Sequence, residues 1–278
     1  MNSSSLVDTN QKVTDLQFAE MIGIAVEPSS FDPVESYNQA VLMRNLRQRS
    51  QRIDIPTTFW QSPTLTKFAD SPESSLLLIK GTFQGRWSLR DAAVRTTGEL
   101  QRRNIPALWA VNTRAPDSDN KSITPMAILK SLVAQALQLT NSSHSQKSTA
   151  LSCTQLRTAV TKKQWFDILG AALAGLSREI YIILELELLV PPLGDPPNAE
   201  ILELFCSLFQ ELSRRGSSSA VKVMVFTWRP CTSASQVKGN ISSITIPSRP
   251  SPRPRQLPKR TQTSTQASYR STLRRLVT

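Results

Sequence analysis

Four short apolar runs, each bounded by polar or turn-forming residues, organise the middle of the chain: Leu76-Leu77-Leu78-Ile79, Ala107 to Val111, Ile180 to Leu184 and Val221 to Thr227. Such continuous runs are what strands buried on both faces require. Ile241 to Ile246 reads as a further, weaker strand. Between the runs the apolar period changes to that of a helix. Leu89 to Arg103 forms one helical segment, and Thr124-Pro125 opens another with Ile128, Leu129, Leu132, Val133, Ala136 and Leu137 on one face. Trp165 to Leu176 forms a third. Asn198 is placed to cap a fourth, which runs to Arg215 before Gly216. Asn141 to Ser152 is polar and reads as a loop. This alternation predicts an α/β domain with a mostly parallel sheet and helices on both faces. Sheets of that kind bind ligands at the carboxyl ends of their strands, so the chain after Lys80, Leu184 and Thr227 draws attention.

The ends of the chain differ from this middle. Residues 1–54 predict a helical N-terminal extension. A marginal helix covers Phe18 to Val26, and a better one starts at Asp32-Pro33-Val34-Glu35. There Asp32 can cap, Pro33 suits the first turn, and Glu35 occupies the reciprocal capping position. Residues 55–246 hold the α/β pattern. Residues 247–278 contain five prolines among many Ser and Thr, and predict a disordered tail.

Charge sharpens that division. The net charge is +12. The tail alone carries eight basic residues and no acid: Arg249, Arg253, Arg255, Lys259, Arg260, Arg270, Arg274 and Arg275. That leaves +4 on residues 1–246, so only the tail has the charge of a nucleic-acid binder. Cys153, Cys206 and Cys231 are odd in number and far apart, which points to buried thiols in a reducing compartment. His144 is the single histidine, so histidine triads elsewhere and multi-histidine metal sites are excluded. Met1 to Thr14 has no apolar core of a secretory signal. The most apolar stretch, Ile180 to Leu193, is too short and too charged to span a bilayer. An intracellular protein, cytoplasmic or nuclear and without membrane contact, is expected.

The first strand runs into Gly81-Thr82-Phe83-Gln84-Gly85-Arg86-Trp87-Ser88 and then a helix. Strand, glycine loop and helix form the setting of a phosphate-binding loop. There backbone N–H groups cradle phosphate, a Lys neutralises it, and a Ser or Thr holds Mg²⁺. With Gly81 and Ser88 aligned, Arg86 replaces the second glycine and Trp87 the Lys. With Gly85 aligned instead, Arg86 takes the Lys position and Trp87 the Mg²⁺ ligand position. Either register removes a needed group, which argues against ATP hydrolysis. The plain alternative is a strand-to-helix turn. Glu185 and Glu187 at the end of the third strand are candidate catalytic carboxylates. On an extended strand they would face the same way and converge on Mg²⁺. Glu185, with Ser88, is also a candidate metal ligand. Two solvated acids are the alternative. Arg229, before Pro230, could sense a terminal phosphate or be an ordinary surface Arg. The candidate nucleotide-binding set is therefore Gly81, Gly85, Arg86, Ser88 and Arg229, with ATP and Mg²⁺ as the cofactors such a loop would take.

The order of these pieces resembles the NTPase region of fungal STAND proteins, the NACHT-like signalling ATPases. The resemblance covers roughly residues 55–230. Phe59-Trp60 with Ser62-Pro63 comes first, followed by Ser-Ser-Leu-Leu-Leu-Ile-Lys-Gly and Pro-Ala-Leu-Trp-Ala. Ile-Leu-Lys-Ser-Leu-Val-Ala-Gln-Ala-Leu and Ile-Tyr-Ile-Ile-Leu-Glu complete it. It implies a P-loop NTPase-like fold and a nucleotide-dependent switch that controls oligomerisation, usually set between an effector domain and a repeat sensor. Gly81 and Ser88 match that family's loop, while Arg86 and Trp87 depart from it. Glu185 matches the Mg²⁺ carboxylate in charge only. The chain leaves no room for the helical and winged-helix parts that normally follow, and so reads as a degenerate, truncated member. Three functions follow as expectations. The first is a non-catalytic interaction module whose protein partners include other STAND-type proteins. The second is an ATPase switch with non-standard motifs, and the third is nucleic-acid binding through the basic tail.

Overall fold

A computed structural model of the chain describes residues 16–26, 31–50, 57–111, 123–142, 151–176, 179–189, 198–229 and 241–246. The basic tail, His144, Cys231 and Pro230 lie outside the described residues. The apolar runs form five strands: β1 (Ser75–Lys80), β2 (Ala107–Ala110), β3 (Ile180–Glu185), β4 (Val221–Thr227) and β5 (Ile241–Thr245). They pair in the order β2-β3-β4-β1-β5, and every pairing is parallel. This is the order of neither the dinucleotide-binding nor the flavodoxin-like sheet.

Side chains alternate across the sheet and split the core in two. On one face Leu77, Ile79, Tyr181, Ile183, Met224 and Phe226 are buried under helices α2 (Pro33–Ser50), α3 (Thr57–Trp60), α4 (Pro63–Asp70) and α5 (Arg86–Arg102). On the other, Leu76, Leu78, Ile182, Leu184, Val223 and Val225 meet helix α1 (residues 16–26). There they also meet α6 (Pro125–Ser142), α7 (Cys153–Thr158), α8 (Lys162–Ala174) and α9 (Asn198–Arg214). The strand order accounts for this division. The β1–β2 crossover runs toward one edge and the β2–β3 and β3–β4 crossovers toward the other. Right-handed connections then place α5 opposite α6 to α9. None of the described helices is long and apolar enough to cross a membrane.

Local chemistry explains several element ends. Asp32 accepts hydrogen bonds from the backbone N–H groups of Val34 (2.8 Å) and Glu35 (3.2 Å) and caps α2. Glu35 accepts from Gln39 Nε2 at 2.9 Å, an i,i+4 bond along the helix surface. Gly216 ends α9 with φ +63°, where a side chain would be strained. Helices α3, α4 and α7 lie in stretches that the apolar pattern leaves blank. Helix α7 is stabilised by a capping box between Ser152 and Gln155. Cys206 is buried, but Cys153 is only half-buried, because α7 sits at the rim of the core.

The N-terminal helices pack into both cores. Phe18, Met21 and Ala25 of α1 are buried with α6 to α9. Helix α2 lies against α5, with Tyr37 Oη so close to Gly98 that a Cβ there would come within 2.6 Å of it. Trp109 Nε1 donates to Pro33 O (3.0 Å), and Ser36 Oγ donates to Val111 O (2.5 Å). At the amino end of the sheet, the fully buried Lys222 of β4 donates from Nζ to the carbonyls of Phe68 (3.1 Å), Glu73 (2.9 Å) and Ser71. It thereby ties down the turn between α4 and β1.

Candidate site at the carboxyl end of the sheet

Adjacent strands β1 and β4 send their outgoing chains toward opposite edges, so the sheet's switch point lies between them. Gly81 N donates to Thr227 O (2.9 Å) and extends the ladder by one residue. The chain then turns: Gly85 N donates to Thr82 O (2.9 Å) and to Thr82 Oγ1 (3.2 Å). Helix α5 starts at Arg86, so Trp87 and Ser88 stand in its first turn and not in the preceding loop. Gly85, at the N-cap, has φ −87° and offers no side-chain cap. Gly81 lies close against α5, since a Cβ there would approach Leu89 Cδ1 to 2.6 Å and oblige that side chain to shift.

Arg86 and Trp87 interact within the fold. Arg86 Nη1 donates to Phe83 O (2.9 Å), and its guanidinium lies 3.9 Å from the Phe83 ring centroid. Trp87 has three arginines over its ring, Arg47 at 4.7 Å and Arg86 and Arg90 each at 5.0 Å. A guanidinium over an indole face is held by the ring quadrupole, by about 0.5–1 kcal/mol where exposed.

The strand-based expectation loses its premise, because Glu187 is not on the strand, and the two carboxylates take different protein partners. Strand β3 ends at Glu185, and residues Leu186–Leu188 form a 3₁₀ turn that rotates Glu187 away. Glu185, 5% exposed, turns toward α5 and pairs with Arg90, with Nε–Oε1 at 3.3 Å and Nη2–Oε2 at 3.4 Å. Glu187 turns toward β4, where its Oε1 accepts from Thr227 Oγ1 and from Trp228 N, both at 2.8 Å. Beside Arg90, Asp91 is fully buried and accepts from Arg47 Nη2 at 2.7 Å. Burial raises the Asp91 carboxyl above its usual range, and the hydrogen bond and charge of Arg47 act against that rise.

Arg229 follows β4. Its N donates to Thr227 Oγ1 (3.1 Å), and its guanidinium lies 5.4 Å from the Trp228 ring centroid. Trp228 in turn meets Phe83 edge-on, with centroids 5.1 Å apart. The structure thus brings Gly81, Gly85, Arg86, Ser88, Glu185, Glu187 and Arg229 to one end of the sheet. It assigns both carboxylates to protein partners. No group of three or more His, Cys, Asp or Glu placed to hold a metal ion occurs among the described residues. At the candidate metal position, a divalent ion would have to displace Arg90 from Glu185.

Arg90, Phe83 and Trp228 were not singled out by the sequence pattern, and Arg47 reads there only as a cation suited to the C-terminal end of its helix. One signal for Arg90 was available, because Arg86 and Arg90 are four residues apart and share a helix face flanking Trp87. The pairing with Glu185 spans 95 residues and left no local trace. A cavity of about 460 Å³ lies at the opposite end of the sheet, beside Glu73, Cys206 and Ser217, and is remote from this cluster. Comparisons with family models, with curated proteins and with solved structures returned no match to this chain.

Proposed function

We propose that this chain is a non-catalytic P-loop NTPase-like interaction module, related to fungal STAND signalling proteins and acting through protein partners. The observation that carries this reading is the engagement of both candidate catalytic carboxylates: Glu185 is neutralised by Arg90, and Glu187 is bonded to the end of β4. Phosphoryl transfer needs a carboxylate available to Mg²⁺ and a cation at the terminal phosphate. Here the carboxylates are committed to the fold, and Trp87, whose indole lies under three arginines, stands at the Lys position in one register and at the Mg²⁺ ligand position in the other. An exposed apolar stretch of α2, made of Leu42, Met43 and Leu46, offers surface for a protein partner.

The competing reading, a nucleotide switch, draws on the uncapped first turn of α5 with Arg86 in it. Thermal unfolding of the full chain with and without millimolar Mg-ATP separates the two. A ligand at a hundredfold its dissociation constant stabilises by about 2.7 kcal/mol, a rise of roughly 5–10 °C for a chain of this size. No shift is expected. A Mg²⁺-dependent rise that disappears in Ser88→Ala would overturn the non-catalytic reading in favour of the switch.

A further inference from the structure

Around the switch point, aromatic rings and guanidinium groups alternate in one connected series. Arg229 stands over Trp228, Trp228 meets Phe83 edge-on, Arg86 stacks on Phe83, and Trp87 lies beneath Arg86, Arg90 and Arg47. Arg44 and Arg95 add their charge beside Asp91. Six arginines and three carboxylates, Asp91, Glu185 and Glu187, therefore gather here, with Arg47 paired to Asp91 and Arg90 to Glu185. The carboxylates sit low, against the sheet, with Asp91 and Glu185 buried. Phe83 stands at the outer side with 51% of its surface exposed, although it is a large apolar ring. Arg86 beside it donates to a backbone carbonyl, forms no ion pair among the described residues, and has a buried Nε with no hydrogen-bond partner.

We propose that this arginine–aromatic series is a binding platform for single-stranded nucleic acid. A single strand offers both groups that the surface can use: phosphates for the arginines and unpaired bases whose faces stack on rings such as Phe83. A duplex hides its base faces, and an acidic peptide supplies charge without a stacking partner. The site is separate from the basic tail and depends on no phosphate-loop chemistry. Recognition by stacking is sequence-tolerant, because every base has a π-face. Each phosphate that the site contacts, beginning with one at Arg86, steepens the slope of log K against log salt by about −0.7.

The test uses the full chain, a fluorescein-labelled 12-mer of oligo(dT) followed by anisotropy, and heparin as a polyanion without bases. Both ligands can also engage the tail, so the diagnostic quantity is the difference between them. Phe83→Ala should weaken 12-mer binding by about tenfold or more, as expected for losing a base–aromatic stack, and leave heparin binding unchanged. Arg86→Ala should weaken both ligands and flatten the salt dependence, whereas Arg86→Lys should retain the charge contribution. Unchanged thermal unfolding of Phe83→Ala shows that the fold is intact, as the exposure of the ring implies. Wild-type 12-mer affinity in Phe83→Ala overturns the proposal. So does a 12-base-pair duplex that binds as tightly as the single strand, or a mononucleotide that binds as tightly as the 12-mer.

Discussion

Glu187→Ala should destabilise the protein, although the residue sits where a catalytic carboxylate was expected. Its Oε1 accepts two hydrogen bonds of 2.8 Å, from Thr227 Oγ1 and Trp228 N. Thr227 is 1% exposed, so removing the carboxylate leaves a buried hydroxyl short of an acceptor and a backbone N–H at the end of β4 unpaired. Hydrogen bonds to a charged group are worth about 1.5–3 kcal/mol each. The half-exposure of Glu187 lets water recover part of that, and a loss of about 2–3 kcal/mol is expected. For a chain of this size that lowers the melting temperature by roughly 5–10 °C. Glu187→Gln keeps an acceptor oxygen and should lose only about 1 kcal/mol. Urea unfolding followed by circular dichroism measures both variants. A residue kept for catalysis behaves in the opposite way, since removing it commonly leaves stability unchanged or raised. A Glu187→Ala variant as stable as the wild type would therefore refute the structural assignment of this carboxylate.

Lys222→Met should cost about 2–4 kcal/mol, because the buried ammonium satisfies the carbonyls of Phe68, Ser71 and Glu73 and methionine supplies no donor in its place. A loss below about 1 kcal/mol by urea unfolding would show that the turn after α4 does not depend on that clamp. The pH dependence carries a separate signature. Hydrogen bonding from Arg102, and then from Arg103, holds the Glu99 carboxyl below its unfolded value of 4.5. A depressed folded pKa contributes stability that is present above pH 4.5 and is lost as pH falls through the folded value. Glu99→Gln should accordingly flatten the acid limb of the stability curve. An acid limb identical to the wild type would remove this pair from the account.

The sheet was legible because its strands are buried on both faces. A segment such as Leu76 to Ile79 or Ile180 to Leu184 must then be apolar throughout, and that requirement is written locally. The capping residues Asp32 and Gly216 are local for the same reason, since backbone geometry at a helix end selects the residue directly. Helices α3, α4 and α7 left little trace because each is eight residues or shorter, so its few apolar positions do not establish a period. The sequence alone therefore determined the α/β class, the parallel sheet and the residues that would gather at its carboxyl end. It could not determine what those residues do there. Glu185 and Glu187 are two apart in the chain, but a 3₁₀ turn sends one to α5 and the other to β4. Trp87 acquires Arg47 from α2, and Phe83 meets Trp228 from the end of β4. Only the tertiary structure decided the pairings of Glu185 with Arg90, Glu187 with Thr227 and Trp87 with Arg47, because each group takes the partner that folding brings within a few ångströms, and those partners are distant in sequence.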